Sequence, residues 1–400
     1  MTTEITRRRF LAGAALSGIA AFAPRLLLAN AATESRLVVV ILRGALDGLA
    51  AVPPYADGNY ARQRGELGIT APSLKLDGMF ALHPALERLH DRYRARELAV
   101  FHAVASPYRE RSHFDGQDLL ENGTTRPHGR DGWLNRALGS MSSKQPSDAL
   151  AVAIAQNVPL MLRGDARVNS WAPSRLPAAD ADTLQRIADL YASDPYFATR
   201  LQAALATDSL AGGSMGGKRD PLGGFAALAK SAGKLLAAPD GPRIAVLEAS
   251  GWDTHANQGA ERGQLANRLG SLDAALEALR VALGEAWQQT AAIVVTEFGR
   301  TVAVNGTRGT DHGTATCAFL VGGAVAGGRV IADWPGLAPA ALYQSRDLAP
   351  TLDLRSLFKG VLREHMNVNE AALETRVFPD SRGAKPLEGL ITSPVVRGRA

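Results

Sequence analysis

The sequence holds 400 residues, 46% of them hydrophobic, which is enough to bury the core of one large domain or of two smaller ones. Its formal net charge is +5, but residues 1–31 contribute +3 of this through four arginines and one glutamate. The remainder has no basic stripe interleaved with aromatic residues, which argues against a nucleic-acid-binding protein. Cys317 is the single cysteine, so no intramolecular disulfide can form.

The N-terminal segment predicts export. The motif Thr-Arg-Arg-Arg-Phe-Leu at residues 6–11 looks like a twin-arginine signal, and a weakly apolar run follows over Ala12–Ala23. Ala29–Ala31 is a small-x-small cleavage site, so residues 1–31 form the expected signal peptide. The alternative is a membrane anchor, but the run is too short and too interrupted to span a bilayer. We therefore expect a periplasmic or otherwise exported protein that uses the twin-arginine translocase and keeps no stable membrane span after cleavage.

Apolar runs and helical patterns alternate along the mature chain, which predicts an α/β fold. Leu37–Leu42 is a continuous apolar run, as expected of a strand buried on both faces of a parallel sheet. The leucines from Leu265 to Leu283 recur every three or four residues, which predicts an amphipathic helix that Gly284 ends. In chain order, strands are expected at 37–42, 98–104, 149–155, 243–249, 291–296 and 314–321, and helices near 83–93, 113–123, 180–206, 265–283 and 347–361.

This order of elements predicts a single α/β domain over residues 32–400, with a mostly parallel sheet covered by helices on both faces. The 243–249 strand, the leucine-rich helix and the 291–296 strand should form a right-handed strand–helix–strand unit. Residues 160–240 interrupt the pattern, and we expect them to form a helical and loop insertion.

Acids and histidines follow the apolar runs or lie in glycine-flanked loops, where parallel-sheet proteins present their ligands. Mixed carboxylate and imidazole ligands suit zinc, manganese or iron, and with fewer histidines magnesium or calcium. Two such cations would hold and polarise a phosphate or sulfate ester, and nearby arginines could clamp its anionic oxygens. The candidate metal ligands are Asp47, Asp253, His255, Glu297, Asp311 and His312, and the candidate clamps are Arg43, Arg111 and Arg300.

Each candidate also has a purely structural interpretation. Asp47 could cap the turn after the first strand. Glu297 and Arg300 could form a salt bridge without any catalytic role. Asp253 and His255 could share a loop hydrogen bond. We treat the remaining histidines as surface or packing residues: His83, His90, His102, His128 and His365.

Five segments together resemble an exported bacterial family catalogued as domain of unknown function 1501. They are Leu-Arg-Gly-Ala-Leu-Asp-Gly-Leu at 42–49, Arg-Ser-His-Phe-Asp at 111–115, Gly-Trp-Asp-Thr-His at 251–255, Glu-Phe-Gly-Arg-Thr at 297–301 and Asp-His-Gly at 311–313. That family is similar to the alkaline phosphatase and sulfatase superfamily, whose fold is a three-layer α/β/α sandwich with a bimetal site. The resemblance implies this fold.

The resemblance also implies roles for individual residues. It implies five metal ligands: Asp47, Asp253, His255, Glu297 and His312. Asp311 would orient the metal, either by binding it or by supporting one of its ligands. The nucleophile position falls near Ser112 or His113, and no Cys-x-Pro-x-Arg motif occurs for formylglycine chemistry. Where phosphatases commonly have Asp-His, this chain has Glu-Phe at 297–298 and so lacks one imidazole ligand. The site would then bind one metal ion or two.

The sequence thus leads to two hypotheses. In the first, the protein is an exported metal-dependent hydrolase of small-molecule or glycan phosphate or sulfate esters, using zinc, manganese or calcium. Ser112 would be the nucleophile, His113 a ligand or general acid, and Arg300 would stabilise charge in the transition state, with Arg43 and Arg111 binding the substrate. In the second, a non-catalytic periplasmic protein of the same fold binds metal or an anionic glycan.

Overall fold

The computed structural model describes residues 34–141, 149–173, 181–211 and 223–392, so the signal peptide predicted for residues 1–31 lies outside the described residues. Within them, no helix is both long and apolar enough to cross a membrane. The strands are β1 (Arg36–Arg43), β2 (Leu74–Lys75), β3 (Ala81–Leu82), β4 (Leu98–Ala105), β5 (Ala151–Ala153), β6 (Val168–Ser170), β7 (Ile244–Ser250), β8 (Thr290–Thr296), β9 (Thr316–Val321), β10 (Arg329–Ile331) and β11 (Leu352–Asp353).

Nine of these strands form one sheet in the order β10-β4-β9-β8-β1-β7-β5-β6, with β11 paired to β4. All neighbouring pairs are parallel except those of β9, which runs antiparallel to both β4 and β8. The predicted mostly parallel sheet is therefore confirmed. β2 and β3 form a separate antiparallel pair.

Helices cover both faces of this sheet, which confirms the three-layer α/β/α architecture. They are α1 (Gly48–Ala51), α2 (Tyr60–Arg64), α3 (Glu87–Arg94), α4 (His113–Asn122), α5 (Trp133–Leu138), α6 (Ala181–Tyr191), α7 (Pro195–Ala211), α8 (Gly223–Ala237), α9 (Gln264–Leu283), α10 (Leu354–Glu364) and α11 (Glu370–Ala372).

Strand β1 shows why two layers of helices are needed. Its side chains alternate between two hydrophobic cores, as the period of a strand requires. Val38, Val40 and Leu42 face the core shared with α3, α8 and α9. The alternate residues of β1 face the core shared with α4, α5 and α10. A strand buried on both faces has no room for polar positions, which explains its uninterrupted apolar run.

Two predicted helices differ from the observed ones. The helix expected over 180–206 is two helices, because Pro195 begins a new one and the Asp194 carboxylate accepts hydrogen bonds from the backbone of its first turn. The helix expected from Asp347 starts only at Leu354, where Asp353 caps it. Of the segment expected to be an insertion, α8 packs against α9 and contributes to the core.

The register of the central strands decides where the site lies. Arg43 of β1 pairs with Ser250 of β7, and Leu42 pairs with Thr296 of β8, so these three strands end level with one another. β4 ends at the same edge, and the antiparallel β9 begins there. The loops that follow β1, β4, β7 and β8 and the loop that precedes β9 therefore meet at one edge of the sheet.

Candidate metal centre

Three histidines and one aspartate come together at this edge. Asp253 and His255 follow β7, His312 precedes β9, and His113 begins α4, which follows β4. One ligand atom each from His113, Asp253 and His312 lies within 4.8 Å of the other two. The Nε2 atom of His255 lies 3.0 Å from Oδ1 of Asp253 and 3.0 Å from Nε2 of His312.

Each of the three imidazoles is oriented through its Nδ1 atom. Nδ1 of His113 lies 2.8 Å from the Glu297 carboxylate, and Nδ1 of His312 lies 2.9 Å from the backbone carbonyl oxygen of Arg111. Nδ1 of His255 lies 3.2 Å from Oδ1 of Asp311. These oxygens can only accept hydrogen bonds, so each Nδ1 is placed to donate its hydrogen to one of them, and Nε2 is the ring atom that each histidine turns toward the cluster.

The three Nε2 atoms then face one carboxylate. Those of His255 and His312 lie 3.0 and 3.3 Å from Oδ1 of Asp253, and that of His113 lies 3.5 Å from Oδ2. Nε2 of His113 is buried without a hydrogen-bond partner. The ligand atoms of His113, Asp253 and His312, among them the orphan Nε2, lie close enough together to hold one cation, and Nε2 of His255 adjoins two of them. The donor set is one that zinc or manganese accepts, whereas calcium prefers oxygen ligands.

Asp253 is fixed from behind by Arg300. The buried guanidinium donates to Oδ1 of Asp253 at 2.5 Å and uses its other nitrogens on Thr310. Burial by itself would raise the pKa of Asp253, but the hydrogen bond and charge of Arg300 outweigh it and lower the pKa. The structure thus places Arg300 as support for Asp253, rather than as a group that reaches a substrate.

Glu297 lies behind His113 in the same way. Its carboxylate is buried and accepts hydrogen bonds from the backbone nitrogen of Gly44 at 2.9 Å and from Gln117 at 3.0 Å, besides that from His113. The bonds from His113 and Gln117 outweigh its burial and lower the pKa of Glu297. The bond to Glu297 in turn raises the pKa of His113. Glu297 therefore orients a histidine and is not itself among the gathered ligand atoms.

The structure does not bring Asp47 to the histidines. Its buried carboxylate accepts hydrogen bonds from the Ala50 backbone nitrogen, capping α1, and from the Gln258 side chain at 2.6 Å. The Arg64 guanidinium pairs with it at 2.5 Å and is fully buried as well. The predicted ligand, Asp47, thus lies apart from the gathered ligand atoms, and an internal cation, a cap and an amide occupy its carboxylate.

The two other candidate clamps are also paired with acids. Arg43 contacts Glu121 at 2.7 Å and the carboxylate of Glu248, and Arg111 contacts the buried Asp347 at 2.8 Å. The expectation that these guanidinium groups bind a substrate anion is therefore not supported by their partners. Asp311 lies beside His255, and hydrogen bonds from Asn305 and His255 lower its pKa.

Ser112 occupies the N-cap position of α4, directly before His113. Its side chain makes no capping hydrogen bond, and its hydroxyl makes no hydrogen bond to any of the described residues. The backbone nitrogen of Ser112 donates instead to the Tyr108 hydroxyl at 3.0 Å. The Ser112 hydroxyl is therefore available to another partner.

Nothing in the sequence singled out Gln117, which hydrogen-bonds to Glu297, or Arg64 and Gln258, which hold the Asp47 carboxylate. Their contacts span long sequence separations, and arginine and glutamine are common at any exposed position. The only local signal was that Gln258 lies in the glycine-rich segment after His255.

The comparison with protein families found one match for this chain. The family model described as "Protein of unknown function (DUF1501)" matches residues 101–377. No protein of curated function matches the sequence. Solved structures of similar fold include the phosphonate monoester hydrolase of Agrobacterium radiobacter, at 10% identity over 83% of this chain and 74% of that one, with a TM-score of 0.41.

Two further structures show a similarity of the same order. Ps i-CgsB in complex with k-i-k-neocarrahexaose is 12% identical over 74% of this chain and 68% of that one, with a TM-score of 0.37. The C-terminal periplasmic domain of EcEptC from Escherichia coli, in complex with Zn, is 12% identical over 74% and 76%, with a TM-score of 0.35. At such values the chain paths agree only in part, and the chemistry of each neighbour is its own.

Proposed function

Since the chain belongs to the family described as protein of unknown function (DUF1501), we propose its function from the site itself: an exported, metal-dependent hydrolase of phosphate or sulfate esters. The observation that carries this proposal is the convergence of three Nε2 atoms on the Asp253 carboxylate. Second-layer acceptors that fix the tautomer of each histidine are the usual support of a protein metal site.

His113, His255, His312 and Asp253 would hold one divalent cation, with zinc or manganese preferred. A bound cation of this kind would supply Lewis-acid polarisation of the ester oxygen. We propose one ion rather than two, because the other candidate carboxylates already have partners. Asp47 is neutralised by Arg64, and Glu297 is occupied by His113 and Gln117.

The exposure of the site supports a reacting centre over a structural one. The side chains of His255 and Asp253 are 44% and 41% exposed, so a substrate can reach the ligands. A catalytic metal site needs a position for water or substrate, and zinc held by four protein ligands can take a fifth ligand there. The free Ser112 hydroxyl, next to His113, is the group that we propose as nucleophile.

Metal content and turnover test the proposal directly. Elemental analysis of the purified mature protein should find close to one zinc or manganese per chain, and the His312→Ala and Asp253→Asn variants should lose it. The exposed His128→Ala variant is the matched control. Nitrophenyl phosphate and nitrophenyl sulfate should then be hydrolysed by the loaded wild type alone. Absence of bound metal after incubation with both ions would refute the proposal.

Export is a separate part of the proposal, supported by the sequence pattern of residues 1–31. A paired Arg7→Lys and Arg8→Lys change should retain the precursor in the cytoplasm, since the twin-arginine translocase reads that pair. Fractionation of cells that express the full chain gives the answer. Unchanged delivery to the periplasm would contradict this route and leave the metal site untouched.

A metal-binding protein without turnover is the second candidate, and one observation favours it. Arg43, Arg111 and Arg300 are each paired with a carboxylate, so none of these three guanidinium groups is free to clamp an anion. This candidate predicts stoichiometric metal with no hydrolysis of either ester. Binding of sulfated or phosphorylated glycans to the loaded protein, lost in His312→Ala, would then support it.

A further inference from the structure

We infer that Arg111 and Asp347 form a positioning device that sets the tautomer of His312. The inference deepens the proposed function and, for metal affinity, rests on it. Arg111 contributes its backbone carbonyl oxygen, which accepts the hydrogen of Nδ1 of His312 at 2.9 Å. No side-chain acceptor from the described residues performs this role at His312, in contrast to Glu297 at His113 and Asp311 at His255.

The backbone of Arg111 is held in an unusual conformation. Its φ angle is 62°, in the left-handed region that residues with a Cβ atom disfavour. A residue stays there only when its surroundings over-determine it, and such residues cluster at functional sites. Here the conformation belongs to the residue whose carbonyl group meets His312, which links the local strain to the orientation of a proposed ligand.

Asp347 is the group that holds Arg111 in place. Its fully buried carboxylate accepts a hydrogen bond from Nε of Arg111 at 2.9 Å. The NH2 group of Arg111 lies 2.8 Å from the same Oδ2 and donates to Oε1 of Gln344 at 2.6 Å. Thr314 donates to the same oxygen at 2.8 Å, and Arg346 approaches the other one at 3.3 Å. Asp347 and Gln344 together hold the guanidinium of Arg111, which lies two residues before the start of α4.

Asp347 is itself tied to the strand end that carries the support for Asp253. Its backbone pairs with Thr301, the residue after Arg300. Thr314 follows His312 by two residues. The carboxylate therefore joins the 111–113 loop to the 312–314 segment, so the two sides of the His312 hydrogen bond are fixed relative to each other. Without this tie, the single ring hydrogen of neutral His312 would be free to move between Nδ1 and Nε2.

Selective ¹⁵N-histidine labelling, read by NMR on metal-free protein at pH 8, tests the positioning role independently of metal. His312, assigned with a His312→Gln variant, should be in the Nδ1–H form in the wild type. In Arg111→Ala we expect a mixture of both tautomers, and in Asp347→Asn a smaller shift in the same direction. Zinc affinity, measured by calorimetry, should fall about 10-fold in Arg111→Ala.

Arg346→Gln is the matched control, because it removes a charge beside the same carboxylate without touching Arg111. This variant should leave both the tautomer of His312 and the affinity for zinc unchanged. A His312 that keeps the Nδ1–H form in both Arg111→Ala and Asp347→Asn would overturn the inference. If zinc does not bind even to the wild type, the proposed function fails, while the tautomer measurement still decides whether this pair positions His312.

Discussion

The Nε2 atoms of His255 and His312 lie 3.0 Å apart, although Nδ1 of each ring already donates its hydrogen to an oxygen. Two neutral imidazoles in these tautomers would set one lone pair against the other. The arrangement is favourable only with positive charge between the rings, either a cation or a proton that both share. A proton and a metal ion therefore compete for the same place, and metal affinity should fall in acid.

The support of His113 by Glu297 gives a first prediction. Glu297→Gln keeps the size of the side chain but removes the negative charge that accepts the Nδ1 hydrogen at 2.8 Å. Metal affinity should fall about 10- to 100-fold, as is usual when such an outer partner is lost. Calorimetric titration with zinc measures it. Glu248→Gln, a glutamate paired with Arg43 farther along the same network, is the control and should change the affinity little.

The buried pair of Asp47 and Arg64 gives a second prediction. Asp47→Asn should lower the free energy of unfolding by roughly 3–5 kcal/mol, because it leaves a buried guanidinium without its counter-charge. Metal stoichiometry should stay at one. Denaturant unfolding and elemental analysis on the same sample separate the two effects.

A double-mutant comparison sharpens that test. Removing both charges with Asp47→Asn and Arg64→Met should cost less than Asp47→Asn alone, since no charge is then left unpaired. A variant Asp47→Asn that kept its stability and lost its metal would instead restore Asp47 as a ligand. That result would mean that the buried pair opens when metal binds.

The general plan of the site could be predicted because strand ends have a clear sequence signature. Apolar runs that stop at Asp253 and before Glu297 mark the edge of a parallel sheet, and the sheet register then brings the loops together. The place of His113 in the site was harder to predict, since it depends on the antiparallel β9, which sets the direction of β4 relative to β8.

The sequence does not predict which of the acids lies among the candidate ligand atoms and which pair with other side chains. Asp47, Asp253 and Glu297 all follow buried strands, yet only Asp253 faces the Nε2 atoms of the three histidines. What separates them is a partner distant in sequence: Arg64 neutralises Asp47, and His113 reaches Glu297. The late start of α10 has the same kind of cause, because Asp347 is drawn to Arg111 instead of opening a helix.

The buried His102 gives a prediction on pH. Burial lowers its pKa from 6.5 to about 4, and its Nε2 hydrogen bonds to the Val52 carbonyl oxygen. The folded state therefore binds the proton less readily than the unfolded chain does. The stability that His102 contributes is complete above pH 6.5 and is lost as the pH falls from 6.5 through about 4, by about 3 kcal/mol in all.

Unfolding in denaturant at pH 7.5, 5.5 and 4.5 measures this loss. The difference in stability between the wild type and His102→Gln should shrink as the pH falls, because only the wild type loses the His102 contribution. The exposed His128→Gln should follow the wild type at every pH. A difference between wild type and His102→Gln that stays constant with pH would show that the acid sensitivity arises elsewhere.

Gly44 gives the last prediction, because it lies where two loops of the site touch. Its φ angle is 121°, and a Cβ atom there would lie 2.6 Å from the backbone nitrogen of Asp253. Gly44→Ala should cost about 1–3 kcal/mol of stability and displace Asp253, so zinc affinity should fall as well. Gly270→Ala, inside α9 with open space around it, should stabilise the fold by about 0.5–1 kcal/mol and leave zinc binding unchanged. Equal zinc affinities in the two variants would mean that the backbone at Asp253 tolerates displacement, and the proposed ligand geometry would then have to rest on the histidines alone.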